Sequence, residues 1–332
     1  KGLDFAVGLQ EHIMQTMTKY IDGCIREIRN AETGDEVMQE IRKTMEGVSD
    51  EYIRTGITSL DRQVIGIPKR HLTVIAGRPG MGKTAFMLQI ARNIMDQGYK
   101  VGIFSLEMEV QSLWVRNLSE ATDIDSLRIE DGKLNAEEYV RLKAASEKYR
   151  RDNYIIDDSP SQTPEQIKAR INLWKTRGKA DVIMIDYLTL INTNYNKERY
   201  DLEIGSLARD LRIFAKKTCT PIIILSQLNR EPERRQNRKP QLSDLRESGT
   251  IEQEAKLVLL LHRPWVYGID PYEGSRFSHY TKGGERLKPE EYMEVIIAKA
   301  RNGRIGFAPV RYIPEVHRIE AVTTREHGNG AF

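Results

Sequence analysis

His71-Leu72-Thr73-Val74-Ile75-Ala76-Gly77-Arg78-Pro79-Gly80-Met81-Gly82-Lys83-Thr84 decides the fold. The first six residues are an apolar, partly β-branched run of strand length, and the last eight fit G-x-x-x-x-G-K-[ST]. Phe86, Met87, Ile90, Ala91 and Ile94 then recur at helical spacing. Strand, glycine-rich turn and helix in that order make a phosphate cradle. Glycines let successive backbone N–H groups turn inward without Cβ clashes, and the helix N-terminus adds about half a positive charge. Gly77, Arg78, Pro79, Gly80, Met81, Gly82, Lys83 and Thr84 are therefore the expected nucleotide-binding residues. Lys83 is expected on the β- and γ-phosphates and Thr84 on Mg²⁺, which makes ATP or another NTP and Mg²⁺ the expected cofactors.

From Arg54 onward, short β-branched runs alternate with helical segments, which predicts an α/β fold with a mostly parallel sheet between helices. The predicted strands are His71 to Ala76, Val101 to Leu106, Tyr154 to Asp157, Asp181 to Asp186, Pro221 to Ser226, Leu257 to His262 and Met293 to Lys299. Val182-Ile183-Met184-Ile185 and Ile222-Ile223-Ile224-Leu225 are continuously apolar, as strands buried on both faces must be. Thr163, Pro164 and Gln166 spell an N-cap, a first-turn proline and a closing capping box. Arg304 to Tyr312 and Val316 to Ala321 read as a final hairpin around Pro314, and residues 323–332 as a disordered tail.

The 332 residues carry a net charge of +3, with 39% hydrophobic residues. That is enough for a sizeable core, and no apolar run approaches the roughly 18 residues of a membrane span. Cys24 and Cys219 have no paired spacing, so a reducing, cytoplasmic setting is expected, and the six His show no ligand spacing. The chain opens on Lys1, as expected of a piece of a longer protein. Residues 1–54 are acidic, net −4, against +7 for the rest. Leu9, Ile13, Met17, Ile21, Ile25 and Ile28, then Val37, Ile41 and Met45, predict two amphipathic helices, the second capped by Thr33 and Glu36. Their apolar stripes have two open destinations, the domain that follows or a neighbouring subunit.

Mg²⁺ also needs a carboxylate at a strand end near the phosphate loop. Asp186 follows four apolar residues and is preferred to Asp157, whose strand is less apolar. Hydrolysis needs a group that orients water or takes its proton; Glu107 follows the 101–106 strand, with Glu109 close by, and spacing alone does not rank them. Gln227 follows a buried strand.

Taken together, Thr55-Gly56-Ile57-Thr58-Ser59-Leu60-Asp61, the phosphate loop, Ser105-Leu106-Glu107-Met108, Ile185-Asp186-Tyr187-Leu188, Ser226-Gln227-Leu228-Asn229-Arg230, Ser243 to Ala255 and Lys299-Ala300-Arg301-Asn302-Gly303 are specific. On these motifs the chain, from about Arg54 to Val322, resembles the C-terminal ATPase domain of bacterial DnaB-type replicative DNA helicases with part of the preceding linker. The resemblance implies a RecA-like P-loop NTPase divided into a helical linker region (1–54), an ATPase/helicase domain (55–322) and the tail. It implies Glu107 as catalytic base, Gln227 as γ-phosphate sensor, and Lys299 and Arg301 as residues reaching the nucleotide of an adjacent subunit. It also places single-stranded DNA against Arg246, Glu247 and Gly249, in a loop whose backbone N–H groups and charge suit a phosphate grip.

Upstream, Arg230, Arg234, Arg235, Arg238 and Lys239 form a basic loop, expected to be mobile and a candidate lining for the DNA channel. The implied activity is that of a homo-oligomeric ring, a hexamer, that couples NTP hydrolysis to translocation on DNA and to unwinding. A RecA-like repair ATPase and a small-molecule phosphotransferase are the competing readings. A helicase loader is a candidate partner. The family's N-terminal helical domain, which meets the primase, has no counterpart here, which leaves primase contact open. Pro264 to Pro289 is longer than the family pattern and rich in aromatics, so an ordered flap and a disordered insertion are both open expectations.

Overall fold

Side chains along each central strand alternate between two cores, one on each face of a single sheet. In the computed structural model, Ile75, Met184, Ile223 and Leu225 face one way, and Val74, Ile183, Ile222 and Ile224 the other. The structure describes residues 51–149, 154–160, 162–186, 197–275, 277–301 and 303–326. The two helices expected before residue 50 lie outside these.

The first half contains β1 (Tyr52–Ile53), α1 (Thr58–Asp61), β2 (Ile67–Pro68), β3 (Leu72–Gly77), α2 (Lys83–Asp96), β4 (Val101–Ser105) and α3 (Val110–Thr122). Next come α4 (Ser126–Glu130), α5 (Ala136–Tyr149), β5 (Tyr154–Asp157), α6 (Pro164–Thr176), β6 (Val182–Asp186), α7 (Lys197–Thr218) and β7 (Ile222–Gln227). The last part holds α8 (Gly249–Glu254), β8 (Ala255–His262), β9 (Phe277–Tyr280), β10 (Tyr292–Ala300), β11 (Gly306–Ile313), β12 (Arg318–Ala321) and β13 (Thr323–Glu326).

The main sheet has the order β12-β11-β10-β8-β3-β7-β6-β4-β5. From β8 to β5 the strands are parallel, whereas β10, β11 and β12 add on antiparallel. The mostly parallel sheet and the final hairpin match expectation, and the capping box of α6 forms between Thr163 and Gln166. Tyr52–Ile53 departs from it: placed with the helical region, this pair instead ladders with Ile67–Pro68. So does the start of the tail, because Thr323–Glu326 pairs with Phe277–Tyr280; residues 327–332 lie outside the described residues. A segment without apolar periodicity looks unstructured in sequence, yet a neighbouring edge can still satisfy its backbone. The 264–289 stretch is thus ordered where described. His279 stacks on Tyr292, Tyr272 packs edge-on or tilted against both, and Arg286 lies over Tyr272.

The Thr55-to-Asp61 motif is a brace. Asp61 accepts from Thr55 N, Thr55 Oγ1 and Gly56 N at 2.8–3.0 Å, and Asn93 of α2 donates to Thr55 O at 2.8 Å. No described helix is long and apolar enough to cross a membrane.

Gly102 marks a close approach between the sheet and α6. A Cβ there would lie 2.7 Å from Trp174 Cε3, and Trp174 is itself stacked on Phe104 with ring centroids 4.6 Å apart. The indole has no room to retreat, so Gly102→Ala is expected to lower stability by about 1–3 kcal/mol, as overpacked sites do, seen as a lower urea midpoint at unchanged slope.

Candidate functional site

The central strand β3 delivers the phosphate loop to the C-terminal edge of the parallel strands. Gly80 and Gly82 have φ of +76° and +86°, a left-handed backbone that a side chain would strain. A Cβ on Gly80 would meet nothing within 4 Å, so the loop is open there, whereas one on Gly82 would press on Met293 and Tyr312 behind it. Lys83 Nζ donates to Gly77 O at 3.2 Å, curled over the loop as a cation is before an anion arrives. Burial lowers its pKa, opposed by the charges of Asp186 and Glu107.

Thr84 Oγ1 donates to Asp186 Oδ2 at 2.8 Å. Asp186 ends β6, the second strand from β3, and is 1% exposed. Its carboxyl is pushed up to about 6 by burial, which outweighs the Thr84 hydrogen bond and is reinforced by Glu107. Its Oδ1 is buried and has no hydrogen-bond partner among the described residues. Asp157 is differently placed. It ends β5 at the sheet edge, pairs with Arg170 at 3.2 Å and accepts from Ser159 N and Gln162 Nε2, the bonding of a turn cap.

Glu107 is exposed on the turn after β4, where Ser105 Oγ donates to Met108 O at 2.6 Å. Its charge reaches both Lys83 and Asp186. Glu109 instead occupies the N-cap position of α3. Gln227 ends β7 in register with Gly77 and is exposed. Lys83, Thr84, Asp186, Glu107 and Gln227 therefore converge on one edge of the sheet.

Lys299 and Arg301 do not join them. β10 runs antiparallel to β8, so its end lies beside Leu257 and Val258, at the opposite edge from Gly77. Through β8, Lys299 lies level with Val74 and Ala300 with Thr73, three and four residues back from Gly77 and two strands across, which puts them on the order of 14–16 Å from it. There Lys299 Nζ donates to Glu252 O at 2.6 Å and Arg301 to Gln253 O at 3.4 Å, on the C-terminal carbonyls of α8.

The 3-10 turn Leu242–Ser248 precedes α8 and carries Arg246 and Glu247, and Gly249 begins the helix. The side chains of residues 246–250 lie outside the described set. The basic loop before it is not the free loop expected. Arg235 forms a two-pronged pair with Asp244 at 2.6 and 2.7 Å, Lys239 pairs with Glu294 at 2.9 Å, and Arg238 lies over Tyr267. Arg230 and Arg234 are left exposed, the latter beside Glu231. The partners that fasten it, Asp244, Glu294 and Tyr267, lie outside the loop, so its own composition carried no signal of them.

Two contacts had no sequence signal. The Arg78 side chain turns away from the phosphate space, donating to Glu233 at 2.7 Å and to Leu228 O at 2.8 Å. Arg263, just past β8, donates to Gly80 O at 3.3 Å while lying over the Tyr312 ring.

The family model described as DnaB-like helicase C terminal domain matches residues 52–321. The replicative DNA helicase DnaB of Geobacillus stearothermophilus is 37% identical over 269 residues, 80% of this chain and 56% of that protein. The Rickettsia conorii DnaB is 35% identical over 285 residues, covering 82% and 58%. The chain thus spans little more than half the length of these curated relatives. Among solved structures, a chain solved as an ATPase domain is similar with a TM-score of 0.75 at 31% identity, over 88% of this chain and all of that one. A DnaB-like replicative helicase described with its primase interactions gives 0.76 at 30%, over 95% and 74%. With that model matching most of the chain, the chain belongs to the DnaB-like helicase C-terminal domain family.

Proposed function

We propose that this chain is the motor domain, about residues 55–322 after a 1–54 linker, of a hexameric helicase that hydrolyses ATP or another NTP and moves along single-stranded DNA. The supporting observation is the separation of its two halves: the phosphate loop lies at one edge of the sheet and Lys299 with Arg301 at the other. Groups on the order of 14–16 Å apart on opposite edges cannot share one phosphate in a single copy, whereas head-to-tail copies bring them together and close into a ring.

In this reading the backbone of Gly77 to Gly82 binds the phosphates and Lys83 neutralises the β- and γ-oxygens. Glu107 orients the attacking water and accepts its proton, Gln227 contacts the γ-phosphate, and Lys299 and Arg301 reach the neighbour's. The buried, unpartnered Oδ1 of Asp186 fits a divalent cation. Mg²⁺ suits one carboxylate, the Thr84 hydroxyl, water and substrate phosphates, and when bound it offsets phosphate charge. Arg246, Glu247 and Gly249 hold the DNA backbone without reading bases. Primase, named with one solved relative, and a loader are in this reading partners of the whole protein.

Strand displacement from a forked duplex, together with hydrolysis stimulated by single-stranded DNA, tests the reading. Hydrolysis indifferent to DNA refutes it, and stimulated hydrolysis without displacement points to a repair ATPase.

Lys83→Ala and Arg301→Ala are each expected to be inactive, the latter because trans-acting arginines give roughly 10³–10⁵ in rate. Rings mixed from the two should regain ATPase activity at interfaces pairing an intact loop with an intact finger, and no recovery in demonstrably mixed rings refutes the shared site.

The Asp186 carboxyl, held up to about 6, binds a proton more tightly than its ordinary value of 3.8 would allow. Its stabilising effect on the ligand-free fold is therefore present below the lower value and is lost as pH rises through the upper one. Cation binding needs the ionised form, so Mg²⁺-dependent nucleotide affinity should fall by about tenfold per unit below pH 6, read with a fluorescent nucleotide. Asp186→Asn should lose both the affinity and its pH dependence.

A further inference from the structure

The loop that cradles phosphate also carries a side chain pointing the other way. Arg78 is 13% exposed, and three of its N–H groups are engaged. Nε and Nη2 meet one carboxylate oxygen of Glu233 at 2.7 and 2.6 Å, and Nη1 donates to Leu228 O at 2.8 Å. Glu233 sits in the 3-10 turn Glu231–Arg234. The next residue, Arg235, grips Asp244 with both prongs of its guanidinium. The Asp244 side chain is 1% exposed; it also accepts from Gln241 N at 2.6 Å, and its carbonyl accepts from Asn229 N at 3.1 Å. Asp244 belongs to the Leu242–Ser248 turn.

Two charge-assisted links therefore join the phosphate loop to the segment assigned to DNA. Both are made by arginine, whose planar fork resists sliding in a way that a lysine ammonium does not. If the loop shifts when a triphosphate loads or leaves, the Glu231–Arg234 turn moves with it or the Arg78–Glu233 pair breaks. In either case Asp244 feels the change through Arg235. Glu233 pairs with Arg78 of the phosphate loop and lies in the turn that leads directly to Arg235, the residue that holds Asp244.

We propose that Glu233 is a positioning residue: through Arg78 on one side and Arg235–Asp244 on the other, it transmits the nucleotide state of the phosphate loop to the Leu242–Ser248 segment. The proposal rests on the assignment of that segment to DNA.

The test measures single-stranded DNA affinity of the full chain by fluorescence anisotropy, with and without a non-hydrolysable ATP analogue, alongside ATPase kinetics with and without DNA. Linkage between two sites is reciprocal and typically amounts to about 5- to 150-fold. In wild-type protein the analogue should change DNA affinity by a factor in that range, and DNA should raise kcat. Glu233→Gln is expected to keep the basal kcat and the KM for nucleotide, but to cut the linkage factor and the DNA stimulation to below about twofold. Glu233→Asp should regain at least half of both, which a variant damaged only in folding would not do. Arg78→Gln with Glu233→Gln should lose no more linkage than Arg78→Gln alone, because one pair is removed in each case. Glu233→Gln with full linkage overturns the proposal and leaves the functional reading intact. A wild-type protein in which DNA and nucleotide ignore each other overturns both.

Discussion

The glycine-rich loop after β3 and the turn after β10 leave opposite edges of one sheet, and the register of β3 holds them apart. β3 is flanked by β7 and β8 and buried on both faces, so the phosphate loop is held where six extended residues end. The strands beside it are locked in register, Gly77 against Gln227 and Ala76 against Leu260. Neither edge can shift toward the other without breaking ladder hydrogen bonds and moving side chains into the wrong core. A site built from both edges therefore has to be built from two copies.

Within one edge the constraint is burial. Asp186 keeps a carboxyl at 1% exposure because Thr84 gives it one hydrogen bond, while its second oxygen is left without one. An unpaired buried oxygen is costly, and such atoms persist where a ligand is to complete them. Gly80 is open for the same purpose, whereas Gly82 is closed off by Met293 and Tyr312. The loop is rigid on its inner side and accessible on its outer side.

Between the edges run residues 228–254, which read as a basic loop followed by a DNA-contacting turn. Arg235, Arg238 and Lys239 look like surface charge in sequence, but Asp244, the Tyr267 ring and Glu294 take them. The far end of α8 is likewise fastened, by Lys299 and Arg301 onto its last carbonyls and by Arg212 onto Glu254. The segment is continuous from the phosphate loop to the residues facing away from it, with charged pairs at each joint.

Sequence alone determined the phosphate loop, the position and burial of the central strands along the chain, the capping of α6 and the choice of Asp186 as an acid near that loop. These depend on residues close in the chain, where periodicity, glycine spacing and apolar runs record the local geometry directly. It misjudged Thr323–Glu326 and the freedom of the basic loop, and it had no signal for Arg78 turning to Glu233, 155 residues away. Whether an edge strand finds a partner, or an arginine finds a carboxylate, depends on what the fold brings alongside. That is a matter of tertiary contact, and no local pattern encodes it.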